Sequence, residues 1–267
     1  MLNQHSRIIG VSSRDFVFDK GILNQIKSGR TKEYGIDATQ MSVEKVAKGK
    51  PNVILYDIIT KDFPNKEKLE RLGIHLIPIY DWREAHPLAK AEWIKVVGAL
   101  TGELDKACKL FNEIESNYNE LKDAMENTSA KPKVMVGNMI GDIWYSPSGE
   151  NYFAILIKDA CGDYVYSETT GTLSLNLSLE KILKDNQETE YWLNPGVAYK
   201  STILLSNPHL KHLKAFENNT YCYSGNMNKF WEQSASRPDY VLEDLIHVFH
   251  ADRNPEYKFH YYLKIKE

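Results

Sequence analysis

Three cysteines in 267 residues are too few for a disulfide framework. Cys108, Cys161 and Cys222 also lie too far apart for a zinc pattern, so they read as buried thiols. No apolar run approaches the ~20 residues that a membrane span requires. Residues 1–7 lack a charged region followed by an apolar one, so no signal peptide is legible there. Lys and Arg, 33 together, are dispersed and outnumbered by 36 Asp and Glu. The formal net charge of -3 leaves no electrostatic footprint for nucleic acid. Catalytic signatures are equally scarce: there is no G-x-x-x-x-G-K-[ST], no G-x-G-x-x-G, no G-x-S-x-G elbow and no H-E-x-x-H. Ser146-Pro147-Ser148-Gly149 lacks the leading Gly of the elbow. His209/His212 and His247/His250 are spaced i, i+3, but no helical i, i+4 pair of histidines occurs, and they read as surface or helix-end residues. Neither a catalytic residue nor a metal ligand is assigned.

The composition is that of an ordinary globular protein, 42% hydrophobic and 26% charged, and the length suits two domains, each with its own core. Residues 103–127 contain neither Pro nor Gly and place Leu104, Cys108, Phe111, Ile114, Tyr118, Leu121 and Met125 three or four apart. That spacing predicts one long helix with a narrow apolar stripe, capped by Thr101 and about 40 Å in length.

The flanks of that helix echo each other. Ser42-Val43-Glu44-Lys45-Val46-Ala47-Lys48 leads into Val53-Ile54-Leu55-Tyr56, and Ser178-Leu179-Glu180-Lys181-Ile182-Leu183-Lys184 leads into Tyr191-Trp192-Leu193. Each reads as a capped short helix followed by a strand. Farther on, a strand at 75–79 precedes Trp82, Glu84, Pro87 and a helix over 88–100. A strand at 220–223 likewise precedes Trp231, Glu232, Pro238 and a helix over 239–250. The echo predicts an α/β protein of two Rossmann-like lobes with mostly parallel sheets. The rigid helix joins them, and a ligand cleft lies between. The divisions fall at 1–102, 103–128 and 129–267. The second lobe opens with a strand at 133–136, an aromatic loop, a helix at 152–160 and a strand at 164–166. The first opens on a strand at 7–11 and so reads as lacking a leading strand and helix.

Ligands of open parallel sheets bind outside the carboxyl ends of the strands. The loops there hold Arg14, Phe16, Tyr56, Trp82, Arg83 and Glu84 in one half, and Trp144, Tyr145, Phe230, Trp231, Glu232 and Arg237 in the other. Interleaved aromatics and charges suit a large, flat, partly apolar ligand with polar groups. Glu84 and Glu232 would accept hydrogen bonds from the ligand or from Arg83 and Arg237. Any of the tryptophans could instead pack a lobe edge.

Three stretches carry a family resemblance. His86-Pro87-Leu88-Ala89-Lys90-Ala91-Glu92-Trp93-Ile94-Lys95 resembles a "PL-x-RAEWIK" motif, and Asp159-Ala160-Cys161-Gly162-Asp163-Tyr164 a "DAGG-x-Y" motif. Phe230-Trp231-Glu232, Arg237-Pro238-Asp239 and Leu242-Glu243-Asp244-Leu245-Ile246 are similar to "FWE…RPD-x-VL-x-DLI". In order and spacing they resemble the helical-backbone (class III) substrate-binding proteins of ABC transporters that take up iron-siderophore, haem and vitamin B12. The resemblance implies a non-enzymatic, monomeric receptor, periplasmic or lipoprotein-anchored, with no covalent cofactor. Its cargo would be a metal chelate: a ferric siderophore or haem-like complex first, cobalamin second. Delivery would be to a membrane permease with its ATPase, through an exposed acid such as Asp62 or Glu67. An anionic siderophore would require inward arginines, whereas a corrinoid would rest on Trp and Tyr faces. A two-lobed enzyme such as a glycosyltransferase would need a phosphate loop or a carboxylate pair, and a bare-cation receptor would need convergent histidines. Ser146-Pro147-Ser148-Gly149 stands where the family commonly has a Pro-Gly-Gly turn.

Overall fold

The structure, a computed structural model, describes residues 1–35, 40–57 and 63–267. The fold is α/β, and the chain divides into two compact units: Met1–Arg83 with Lys95–Ala107, and Glu84–Ile94 with Cys108–Glu267.

Unit 1 alternates β1 (Gly10–Val11), α1 (Lys20–Lys27), β2 (Lys32–Glu33), α2 (Val43–Gly49), β3 (Val53–Asp57), α3 (Lys66–Arg71) and β4 (His75–Ile79). β1 pairs parallel with β2, and β3 parallel with β4, from Val53 opposite His75 to Asp57 opposite Ile79. The strand expected over 7–11 is shorter because His5–Arg7 forms a 3-10 turn. Asp19 caps α1 by accepting from Ile22 N at 2.9 Å. Val46, Phe63, Leu69 and Ile74 form a small core beneath β3 and β4.

Three helices follow: α4 (Pro87–Glu92), α5 (Ile94–Thr101) and α6 (Leu104–Asp123). The single helix expected over 88–100 is interrupted at Trp93, whose indole Nε1 reaches back to Glu84 Oε1 at 3.0 Å. Helix α6 buries Phe111, Ile114 and Tyr118 of the expected stripe. It stops four residues short of position 127, because Met125 N bonds Lys122 O and Glu126 N bonds Asp123 O, tightening the chain into turns.

Unit 2 continues with β5 (Lys133–Val136), β6 (Asn138–Ile140), β7 (Ile143–Pro147), α7 (Tyr152–Asp159), β8 (Asp163–Tyr164), β9 (Ser174–Leu177), α8 (Leu179–Asp185) and β10 (Tyr191–Leu193). Then come α9 (Lys200–Ser206), α10 (Lys214–Asn218), β11 (Thr220–Cys222), α11 (Met227–Gln233), α12 (Pro238–Phe249) and β12 (Leu263–Lys264). Its main sheet has the order β12-β11-β10-β5-β8, parallel except for the antiparallel edge strand β12. A second, antiparallel sheet has the order β6-β7-β9.

That second sheet corrects the aromatic loop expected after β5. Ile140 pairs with Ile143 across Gly141-Asp142, and Gly141 has φ +60°, so the two residues form a tight hairpin turn. Strand alternation then points Trp144 and Ser146 inward. Trp144 is completely buried, its Nε1 donating to Val136 O at 3.1 Å and Ser146 Oγ at 3.0 Å, its ring 5.4 Å from that of Trp192. Gly137 makes this possible: at φ +110° a Cβ there would stand 1.9 Å from Tyr145 O.

Helix α7 ends in a Schellman motif, with Gly162 N on Ile157 O at 2.8 Å and Cys161 N on Lys158 O at 3.0 Å. Cys161 therefore occupies the left-handed position, φ +56°, that usually falls to glycine. Cys161→Gly is expected to stabilise the protein by about 1 kcal/mol, less the weak Sγ bond to Met125 O. A lowered denaturation midpoint would contradict this.

Helix α12 is nearly all buried and closes on His250, whose Nε2 bonds Ala160 O at 3.2 Å. Burial lowers the His250 pKa below the ordinary histidine value of about 6.5. Below 6.5 the unfolded chain therefore takes the proton first, and stability falls as pH drops through the folded pKa. Denaturation midpoints measured from pH 7 downward should show this loss, and His250→Gln, whose amide nitrogen stands near the Nε2 position and keeps an N–H for Ala160, should flatten the slope.

Candidate functional site

In unit 2 the segments after β10 and β11 build the most developed surface. Tyr223, the first residue past β11, stacks on Phe230 with ring centroids 3.8 Å apart and planes within 2°. Trp231 meets both rings edge-on at 5.5 and 5.3 Å, and is itself 60% exposed. Phe230 is buried because α11 turns it inward onto Tyr223, whereas its neighbour Trp231 points out. Met227, one turn earlier, is exposed on the same side of the helix as Trp231. Burial pushes the Tyr223 phenol up, with Tyr152 and Cys222 adding to it. After β10, Asn194 holds φ +59° beside the buried Tyr262 hydroxyl. Lys90, carried by α4 and almost fully buried, sets Nζ 4.6 Å from the Tyr152 ring centre at the start of α7.

The expected pairing of Arg237 with Glu232 is not what forms. Arg237 is the residue before the Pro-started α12, and its Nε and Nη2 both donate to the carboxylate of Asp239, at 2.8 and 2.5 Å. Its guanidinium lies 3.3 Å from the Tyr240 ring centre. Burial works against this charge, but the Asp239 hydrogen bonds and field outweigh it, and the pKa is raised. Two residues of sequence separation make that fork cheaper to close than one to Glu232, which is exposed on α11.

Glu84 likewise serves Trp93 rather than Arg83. Trp144 has both faces in the core and offers none to a ligand. Tyr145, its neighbour on β7, is half-buried opposite Asn138 and Asn176. The Ser146–Gly149 turn is pinned to the segment before β9: Ser148 Oγ donates to Gly171 O at 2.7 Å, and Gly149 N to Thr169 Oγ1 at 2.9 Å. A Cβ on Gly149 would fall 2.1 Å from Ser167 O.

In unit 1, Trp82 and Arg83 share the 3-10 turn Asp81–Arg83, with the exposed guanidinium 5.0 Å from the Trp82 ring and 5.8 Å from that of Tyr80. Trp82 Nε1 is buried without a hydrogen-bond partner among the described residues. Tyr56 packs edge-on against Phe63 at 4.5 Å, beside the small core. Arg14 and Phe16 sit on a separate, exposed turn held by Arg14 N to Glu33 Oε1 at 2.9 Å. Glu67, on α3, is 86% exposed and pairs with Arg71 at 3.3 Å. Asp62 lies outside the described residues. Among the described residues no group of three His, Cys, Asp or Glu is placed to hold a metal ion. Nor is any helix long and apolar enough to cross a membrane.

Sequence reasoning missed Tyr223, Met227 and Lys90. Tyr223 was within reach, since the first residue past a parallel strand is where ligands of such sheets bind. Unit 2 also holds most of the acidic charge: 17 Lys and Arg against 24 Asp and Glu, a net of -7, while unit 1 has 16 against 12 and a net of +4.

The profile of the periplasmic binding proteins matches residues 21–224. The chain belongs to that family. Periplasmic binding proteins capture solutes and are not enzymes. An uncharacterized lipoprotein of Methanocaldococcus jannaschii is 28% identical over 202 residues, 74% of this chain and 47% of the relative. A second lipoprotein of that organism is 21% identical over 274 residues, 98% of this chain and 68% of the relative. The chain thus spans about half the length of the first. Among solved structures, a possible iron-binding periplasmic solute-binding protein of Staphylococcus epidermidis gives a TM-score of 0.68 at 19% identity, with 92% of each chain covered. A periplasmic haem-binding protein of Vibrio cholerae gives 0.65 at 16%, covering 88% of this chain and 90% of that one. A Helicobacter pylori protein with Ni(II) bound gives 0.66 at 15%, covering 97% and 83%. These likenesses show the fold.

Proposed function

We propose that this periplasmic binding protein captures a metal chelate for an ABC importer and hands it to a membrane permease whose ATPase drives uptake. The observation that carries the reading is Trp231, exposed yet braced by the stacked Tyr223 and Phe230 just past β11. A braced aromatic face binds a flat ligand with little further loss of side-chain freedom. Trp231 and Tyr145 are the ligand contacts we assign in unit 2. Trp82 and Arg83 form the corresponding aromatic and cationic surface of unit 1. Iron-binding, haem-binding and nickel-bound proteins share the fold, which supports a metal-bearing cargo, with an iron siderophore or haem-like chelate first.

A corrinoid is the second reading, and two observations favour it. Arg237 is committed to Asp239 and Tyr240, and the net charge of -7 on unit 2 offers little attraction to an anionic siderophore. The lipoprotein relatives support a protein working outside the cytoplasmic membrane, periplasmic or lipid-anchored. Glu67 is the docking acid we assign for the permease. Native mass spectrometry with absorbance scanning against haem, cobalamin and several ferric siderophores tests the reading. One of them is expected to form a one-to-one complex. Failure of all of them, or equal retention of a bare metal ion, would overturn it.

A further inference from the structure

We propose that Asn127 is an N-glycosylation acceptor, which rests on the extracytoplasmic placement in the proposed function. The chain holds three Asn-x-Ser/Thr triplets without Pro in the middle: Asn127-Thr128-Ser129, Asn176-Leu177-Ser178 and Asn218-Asn219-Thr220. Such triplets are acceptors only where an enzyme can reach both the amide and the hydroxyl.

The structure separates them. Thr220 is 1% exposed on β11 and its Oγ1 donates to Ala215 O at 2.9 Å, so the third triplet has no accessible hydroxyl. Asn176 is exposed on β9, but it is laddered opposite Tyr145, and Ser178 Oγ is spent accepting from Lys181 N at 3.2 Å as the cap of α8. Engaging that triplet means opening a strand and uncapping a helix.

Asn127 and Ser129 are both exposed, in the connection between α6 and β5, with no ladder or cap to give up. Their turn is held from below by the buried Met125. From the side, Arg253 Nη2 donates to Thr128 Oγ1 at 3.1 Å and Ala124 O at 3.3 Å. The amide is thereby presented outward on a loop that can enter an enzyme's active site while the fold stays intact.

The donor would be a lipid-phosphate-linked oligosaccharide. The Asn127 amide nitrogen attacks the anomeric carbon, and the N–C bond forms as the C–O bond to phosphate breaks. The lipid phosphate leaves with that electron pair, and the amide proton passes to it.

Peptide mass spectrometry of the protein purified from its native cells, with protease shaving of spheroplasts alongside, which opens the outer face of the cytoplasmic membrane to the protease, tests the proposal. The expected result is surface-accessible protein with a glycan on Asn127, none on Asn218, and loss of that glycan in both Asn127→Gln and Ser129→Ala. Accessible protein with an unmodified Asn127, or with the glycan only on Asn176 or Asn218, overturns the glycosylation proposal alone. Protein sealed from the protease overturns the extracytoplasmic reading and this proposal with it.

Discussion

Asp244→Ala is expected to cost unit 2 about 3–5 kcal/mol, because it strips a buried acceptor from four donors at once. Asp244 lies on α12 with no exposed surface. Its Oδ1 accepts from Tyr257 Oη at 2.8 Å and His260 N at 2.7 Å, and its Oδ2 from Tyr261 N at 2.7 Å and Tyr262 N at 3.0 Å. Burial raises its pKa on balance, with the same four donors opposing the shift. Together they tie the last stretch of chain to α12, where two parallel ring stacks clamp it further: His247 on Tyr257 at 3.8 Å and Tyr240 on His260 at 3.9 Å. Tyr261 and Tyr262 are fully buried by this, and β12 is delivered to the sheet edge beside β11. Alanine leaves three backbone N–H groups with no acceptor, so the strap should detach and expose both tyrosines. Urea denaturation followed by tryptophan fluorescence would measure it, with Tyr257→Phe as the comparison, expected to lose only about 1 kcal/mol. A loss below that in Asp244→Ala would mean the strap is held by its ring stacks alone.

The strap marks one limit of what the sequence discloses. Asp244 was visible as part of a motif, but nothing local says that residues from 257 onward come back to it. By contrast, most elements whose determinant is local are legible. Ser42 and Ser178 cap their helices by accepting from Lys45 N and Lys181 N, at 3.3 and 3.2 Å, and both helices lead into parallel strands as the echo requires. Pro87 and Pro238 both open helices. Where the determinant is a tertiary contact, the sequence does not show it. The helix over 88–100 breaks at Trp93, whose indole bonds Glu84, and the long helix ends early where Met125 turns into the core. The Gly141-Asp142 hairpin was a local signal overlooked, because Ile140 and Ile143 flank it with the alternation of a strand.

For the candidate site, residue type was legible and exposure was not. Arg237 chose Asp239 over Glu232 because the fork closes within one turn of chain, which spacing alone could have shown. The five tryptophans, by contrast, look alike in sequence, yet Trp144 is sealed by strand alternation and Trp231 is turned outward by the helix that buries Phe230.

That difference yields the sharpest test of the site. Trp231→Ala should leave the fold nearly intact, since the side chain is largely solvated, and should weaken binding of whichever chelate the titrations identify. Covering an indole face is worth about 1–3 kcal/mol, which corresponds to roughly a 5- to 150-fold rise in Kd. Trp144→Ala should do the reverse. It empties a buried cavity beside Trp192 and abandons the Val136 and Ser146 hydrogen bonds, at a cost of about 3–5 kcal/mol in stability, while folded protein binds with unchanged Kd. Calorimetric titration paired with denaturant melts of both variants separates the two roles. If Trp231→Ala binds as wild type does while losing more than about 2 kcal/mol of stability, the ring is a packing element and the platform is not the ligand's seat.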